Sequence, residues 1–562
     1  MLKNSRWLLA LMIVFTVALV GCTAETPADQ NATEGTENNS TGETESNTET
    51  GSAEQLLRMV IQEEPTNLDP QVGTDGYSMI VNNAVLEGLV RFHDGEIIPG
   101  IAEEWEVSED GLTYTFHLRD SVWSDGTELT AEDFKDSFIR LIDPATQSPY
   151  AYVGYYVENA QAFNEGDITD AEQVGVNVID ANTLEFTLVS PTKQFLSLMS
   201  FLSYLPSNAG AVEEFGQEYA ADPNKMLYNG PFVLTEWKHQ ESLTLEKNPN
   251  YWNSDAITLE KVEINIVPDD GTASGMFETG NIDLVLIGRE YIEKYESEGK
   301  ANFYNKGTVQ FVQYNFDSEV GEFLRNANFR KAISHAIDRE GLVNGVLKNG
   351  SSPAQRYVMP TTLGKETDFG EEYPFSPFPA QVDVAKAEEY LEAALSELGK
   401  SKDDIPTIEF LASDRPDDRI ISEAIQDMLA QNLGISIDIS VAPHSQRLQM
   451  MLDSNYQMMW GGWGPDFNDP MTYLDIFTSS SGYNTTGFQD EIYDGLVAEA
   501  NAKADVELRG DLLFMTEQHL VEHGPVTTVF FAGGAYAKAD NLENVKMNHI
   551  GAEIDFIFAE FR

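Results

Sequence analysis

Residues 460–466 read Trp-Gly-Gly-Trp-Gly-Pro-Asp, so two tryptophans and three glycines stand directly before one carboxylate, Asp466. Glycines let a second backbone approach closely, and tryptophans form rigid walls on which a bound group stacks. A carboxylate among them holds a cation. Together these types make a slot for a peptide-like ligand, with Asp466 facing its positive end. The turn chemistry of Asn468 and Asp469 between Pro465 and Pro470 gives those two residues a local role instead.

A second constellation is His519-Leu-Val-Glu522-His523, which matches the H-x-x-E-H pattern of inverted zinc peptidases. On a helix the imidazoles of His519 and His523 share a face, with Glu522 available as base. Leu512, Leu513, Met515 and Leu520 also make the segment an ordinary amphipathic helix, ended by Gly524-Pro525. No G-x-S-x-G or phosphate-binding loop occurs, and the other histidines are scattered, so no catalytic residue, metal or cofactor is expected.

The chain start addresses location. Lys3 and Arg6 precede an apolar run from Trp7 to Val20, too short for a comfortable membrane span and placed like a signal peptide. It ends Leu19-Val20-Gly21-Cys22, and Cys22 is the only cysteine in 562 residues, so there is no disulfide framework. Small residues before a cysteine resemble the cleavage box of bacterial lipoproteins, which makes residues 1–21 a leader and Cys22 a lipidation site. Residues 22–54 are almost free of large apolar side chains and form a solvated tether.

The remainder is 42% hydrophobic counted over the whole chain, and long enough for two or three domains. The net charge of −59 argues against nucleic acid and anionic lipid as partners and suits an alkaline or saline habitat. No later apolar run spans a membrane. Thr113–Arg119 alternates with Tyr114, Phe116 and Leu118 on one face, a half-buried strand that leaves His117 on the other. Thr130-Ala-Glu-Asp133 predicts a capped helix with Phe134, Phe138 and Leu141 inward. Residues 231–237 and 243–245 read as paired strands, and residues 329–347 and 383–398 as helices, the latter with a stripe of Val384, Ala387, Leu391, Ala394 and Leu398. His335, within the first of these, reads as core.

Several blocks occur in a known order: Leu68-Asp-Pro70, residues 102–119, Trp123-Ser-Asp-Gly-Thr127, Thr130–Phe134, Gly230-Pro231-Phe232, Asn248-Pro-Asn-Tyr-Trp252, Phe329-Arg-Lys-Ala-Ile333, Ala336-Ile-Asp-Arg339 and residues 460–475. Over roughly residues 55–562 the chain resembles the peptide- and nickel-type solute-binding proteins of ABC importers, nearest their oligopeptide-binding subgroup. That resemblance implies an α/β, two-lobed periplasmic-binding-protein-like fold with three structural domains and a hinge. Domain I is then 55–86, 206–308 and 530–562, domain II is 87–205, and domain III is 309–529. It implies a monomeric extracytoplasmic lipoprotein, anchored through Cys22 to the outer face of the cell membrane. Such a protein captures oligopeptides for ABC permease subunits, and a dedicated signalling-peptide or dipeptide receptor is the alternative. Carried over by position, Asp466 pairs with the ligand's α-amino group, and Gly462 and Trp463 pair with its backbone. Thr74, Asp75, Gly76 and Tyr77 match the early segment that pairs with the ligand's other edge, and Tyr150 lines a pocket. Trp460 stands where some relatives place an arginine for a ligand carboxylate. Tyr314-Asn315 falls near the expected crossover between lobes, as hinge or as core.

Overall fold

The computed structural model describes residues 54–73, 75–503 and 505–562. The leader, Cys22, nearly all of the tether and Thr74 lie outside the described residues. The chain has the two-lobed α/β fold.

One mixed eleven-stranded sheet forms the frame of the chain. Its first half is Phe232–Lys238, Ser242–Lys247, Lys261–Ile266, Leu56–Ile61 and Leu284–Leu286; its second is Met458–Trp463, Ile408–Ser413 and Ile437–Ala442. The halves are joined by two long strands, Asn302–Tyr314 and Val526–Lys538, each of 13 residues and so about 43 Å long. Val526–Lys538 pairs with Leu284–Leu286 at its far end, and Asn302–Tyr314 pairs with Met458–Trp463 through Val309–Tyr314. The pairing of the two long strands breaks between Asn305 and Val309. Gly307 sits in that break at φ +72°, a conformation that favours glycine, and a Cβ there would meet the His549 carbonyl oxygen at 2.6 Å. Tyr314 and Asn315 lie at the far end of the strand, buried, with the Tyr314 hydroxyl donating to Thr527 Oγ1 at 2.9 Å. They are core, and the irregular backbone is nearer residue 307.

A separate antiparallel sheet orders Ala102–Val107, Thr113–Leu118, Thr183–Thr187 and Val176–Asp180. Tyr114, Phe116 and Leu118 face its core, as their alternation requires. Helix Ala131–Ile142 covers that face, opened by the Thr130/Asp133 capping box, with Phe138 edge-on to Phe186 at 5.4 Å. Phe232–Lys238 and Ser242–Lys247 do pair antiparallel.

Two helix expectations need correction. Residues 329–347 are not one helix: Ala327–Ala336 ends, and a π-helical turn, Gly341–Leu347, follows. The break places Arg339 fully inside, where its guanidinium donates to the carbonyls of Ser334, Pro379 and Thr528; a buried cation must find such acceptors. In Val384–Leu398, Ala387, Leu391 and Ala394 are core, but Val384 in the first turn is exposed. Among the described residues no helix is long and apolar enough to cross a membrane.

Candidate ligand-binding site

Strand Met458–Trp463 carries the site. One edge pairs along its whole length with Asn302–Tyr314. The other meets Ile408–Ser413 only at Met458 and Met459, so Trp460 to Trp463 keep an edge that no described strand covers. Side chains alternate across this strand. Trp460 is buried, its indole nitrogen donating to Asp418 Oδ1 at 3.1 Å and its ring 5.7 Å from that of Phe530. Two residues on, Gly462 is exposed and presents only backbone. Trp463 is half-buried and meets the Tyr483 ring edge-on at 5.0 Å.

Beyond the strand the chain turns at Pro465 and delivers Asp466. The Asp466 backbone N–H donates to Thr472 Oγ1 at 2.9 Å, which fixes the residue. No described cation pairs with its carboxylate. The Tyr152 hydroxyl donates to its Oδ2 at 3.5 Å. Tyr152 in turn packs against Tyr150 and Tyr483, with centroids 5.9 and 6.3 Å away, and Tyr150 meets Phe201 at 5.0 Å. Burial pushes the Asp466 carboxyl up to about 6, partly countered by the Tyr152 hydroxyl. The Tyr150 and Tyr152 hydroxyls are pushed up by burial and then by the Asp466 charge. A narrow cavity of about 40 Å³ reaches Asp466 between Met79, Asn83, Phe201, Leu202 and Asn548. The result is a partly desolvated anion ringed by aromatics, and a positive group from outside is what it lacks.

Hydrogen bonds from residues 193–197 join this arrangement to distant parts of the chain. The Asn468 N–H donates to Ser197 Oγ at 2.9 Å, and Lys193 Nζ donates to the Lys365 carbonyl at 3.0 Å. Arg509 from helix Val506–His523 donates to both Asp469 oxygens at 2.7 and 2.9 Å and to Gln194 Oε1 at 3.0 Å, all buried. Asp469 is therefore more than a turn acid, although its Oδ1 also accepts the Met471 N–H. Asn468 Oδ1 accepts the Leu363 N–H at 2.9 Å.

The profile of bacterial extracellular solute-binding proteins, family 5, matches residues 96–485. The chain is 31% identical to the dipeptide-binding protein DppE of Bacillus subtilis over 548 residues, 97% of each chain. It is 32% identical to the oligopeptide-binding protein OppA of Bacillus subtilis over 569 residues, 100% of each. This chain belongs to that solute-binding family. The structure of Listeria monocytogenes OppA bound to peptide superposes with a TM-score of 0.75 at 29% identity, covering 91% of this chain and 99% of that one.

Members of family 5 are substrate-binding proteins, not enzymes, and the His519/Glu522/His523 constellation is accordingly withdrawn as a zinc centre. Two of its members are engaged elsewhere: His519 Nε2 lies 3.0 Å from Asp490 Oδ2, and Glu522 pairs with Lys331. Among the described residues no three His, Cys, Asp or Glu side chains gather as a metal site. His335 is half-buried, Nδ1 2.9 Å from the Lys331 carbonyl oxygen.

The segment after Thr74 is not a strand in this solute-binding protein. Asp75 caps helix Gly76–Val85, accepting from the Ser78 N–H at 2.9 Å and the Thr66 N–H at 3.1 Å. Gly76 and Tyr77 form the first helical turn, so ladder pairing there is ruled out, and their helix instead lines the cavity through Met79 and Asn83. Tyr150 packs against Tyr152, whose hydroxyl meets Asp466, whereas Trp460 turns toward Asp418. Tyr152 and Tyr483 were not foreseen. The repeat Tyr150-Ala-Tyr152 was the one visible signal.

Proposed function

We propose that this protein captures oligopeptides outside the cytoplasmic membrane and passes them to the permease of an ABC importer. The observation carrying this is the partly desolvated Asp466 carboxylate, without a cation, next to the open edge of Trp460–Trp463. The peptide's α-ammonium pairs with Asp466, and its backbone adds to the free strand edge, a mode that reads main chain and tolerates varied side chains. Closure of the lobes then encloses the ligand. No bond is made or broken.

The division into domain I (55–86, 206–308 and 530–562), domain II (87–205) and domain III (309–529) is part of the reading. It is supported by the two long connecting strands and by the irregular pairing at Asn305–Val309. The protein works as a monomer on the outer face of the membrane, held by lipid on Cys22. Radiolabelled palmitate should enter the wild type, and a Cys22→Ser variant should take up none; equal label in both removes the anchor.

Native mass spectrometry of the protein as purified tests the main reading. A spread of co-purified masses with peptide spacings is expected. The likeness to the dipeptide-binding protein DppE, 31% identical against 32% for OppA, favours one second reading, a receptor for very short or dedicated peptides. One sharp mass would select it, and no peptide mass, even after incubation with a peptide digest, would reject both.

A further inference from the structure

We propose that this protein has a second binding site, for a neutral saccharide, in the cavity between the hairpin of residues 121–129 and the loop of residues 248–252. The proposal goes beyond the peptide-binding reading and does not depend on it.

The cavity measures about 380 Å³, within the usual range of ligand pockets. It shares no lining residue with the cavity at Asp466. Its walls are the paired strands Ser121–Val122 and Glu128–Leu129, the turn at Asn182, and the loop that carries Asn250 and Trp252. Residues 123–127, which turn the hairpin, and residues 248–252 are two sequence blocks with no part in the peptide site. They are braced in place. The Ser124 N–H donates to the Tyr228 carbonyl at 2.7 Å, and Asn250 Nδ2 donates to the Ser124 carbonyl at 3.2 Å. Asn248 Nδ2 donates to the Gly230 carbonyl at 2.9 Å. The walls are therefore held in shape by the fold itself.

The lining chemistry narrows the ligand class. Trp252 is half-buried, and the Arg119 guanidinium lies 3.6 Å over its ring, with no carboxylate partner among the described residues. That charge already occupies one face of the indole and repels a second cation. Asp120 and Glu128, neither of them paired with a described cation, repel an anion. A neutral ligand remains.

The free polar groups call for hydroxyls. Glu128 is exposed, and its carboxylate accepts no hydrogen bond among the described residues. Asp120 Oδ1 accepts from Asn182 Nδ2 at 3.2 Å, which leaves its second oxygen and Asn182 Oδ1 open. Ser121 Oγ and Trp252 Nε1 are buried without a partner among the described residues. Such groups are nearly always paired, so this wall is incomplete by itself. A hydroxyl both donates and accepts, and an indole packs well against an apolar ring face. A pyranose offers both, with hydroxyls around its rim and C–H groups on its face.

Saturation-transfer NMR on the full chain tests the assignment, with maltotriose, cellotriose and N,N′-diacetylchitobiose as millimolar probes. At least one probe should receive transfer from the wild type, strongest at its ring C–H protons. Glu128→Ala, a change at an exposed position, should weaken binding about tenfold, and Trp252→Leu should abolish it. Thermal melting of Glu128→Ala should match the wild type, so this variant decides the matter even if Trp252→Leu does not fold. Asp466→Asn should bind the saccharide like the wild type, and tri-alanine should not displace it. Transfer to none of the three probes overturns the site. Undiminished binding in Glu128→Ala, or displacement by tri-alanine, overturns it as well.

Discussion

Asp466→Asn is expected to weaken peptides with a free α-amine by about 100-fold and to leave N-acetylated peptides nearly unchanged. An ammonium taken out of water onto a desolvated carboxylate depends on that charge, and removing one partner of such a pair costs about 3 kcal/mol. The same substitution should stabilise the ligand-free protein. Burial raises the Asp466 pKa from 3.8 to about 6. The unfolded chain therefore releases this proton near pH 4, whereas the folded one keeps it until near pH 6. Asp466 contributes no penalty below pH 4. Stability is lost as pH rises from about 4 to 6, and the penalty stays constant above that. The neutral amide of Asp466→Asn carries no such penalty, so at pH 7 the variant should gain about 1–2 kcal/mol, less than the full shift implies because solvent still reaches the carboxylate.

Ligand binding has the opposite slope. Ammonium favours ionised Asp466, so affinity for free-amine peptides should rise toward tenfold per unit as pH climbs to about 6. It should then level off and fall when the ligand amine deprotonates near pH 8. Asp466→Asn should lose the limb near pH 6 and flatten the limb near pH 8, because both depend on the ammonium–carboxylate pair. Calorimetric titration at pH 5, 6, 7 and 8 with a peptide and its N-acetyl form reads all of this. Equal loss for both forms would take Asp466 out of the site.

Much of this frame was legible in the chain. The alternation of Tyr114, Phe116 and Leu118 is a local rule with a local cause, and the strand follows it. The Thr130/Asp133 cap is likewise decided within one turn. The Trp-Gly-Gly-Trp run with its following acid announced both the exposed backbone at Gly462 and the carboxylate beyond it. What could not be read locally was what depends on distant partners. Asp338 marks the break locally by accepting the Gly341 N–H, but the contact from Arg339 to the Thr528 carbonyl, 189 residues on, could not be read from the segment. Tyr152 and Tyr483 meet across 331 residues of chain, so neither alone signals a wall around Asp466. Asp469 looked like a turn former because its local chemistry is that of a turn, and its second partner is 40 residues away.

That partner, Arg509, carries the other large expected effect. Both side chains are buried, Arg509 at 4% exposure and Asp469 at 5%, and the pair is bidentate. Arg509→Met leaves Asp469 as a buried anion without its cation, so a loss of about 3–5 kcal/mol in unfolding free energy is expected. Thermal melting should show it, and Asp469→Asn added to Arg509→Met should recover a good part, because the stranded charge rather than the lost pair dominates. Gln194 separates stability from closure. It accepts a single hydrogen bond from Arg509 and carries no charge of its own, so Gln194→Ala should move the melting curve far less than Arg509→Met. Closing the lobes must satisfy Arg509 through that bond, however, and its loss leaves a buried N–H of the cation unpaired only in the closed form. Peptide affinity should therefore fall several-fold in Gln194→Ala although the side chain lies outside the Asp466 pocket, mostly through faster release. Unchanged release rates in this variant would mean that the Arg509–Gln194 contact forms without helping to hold the lobes together.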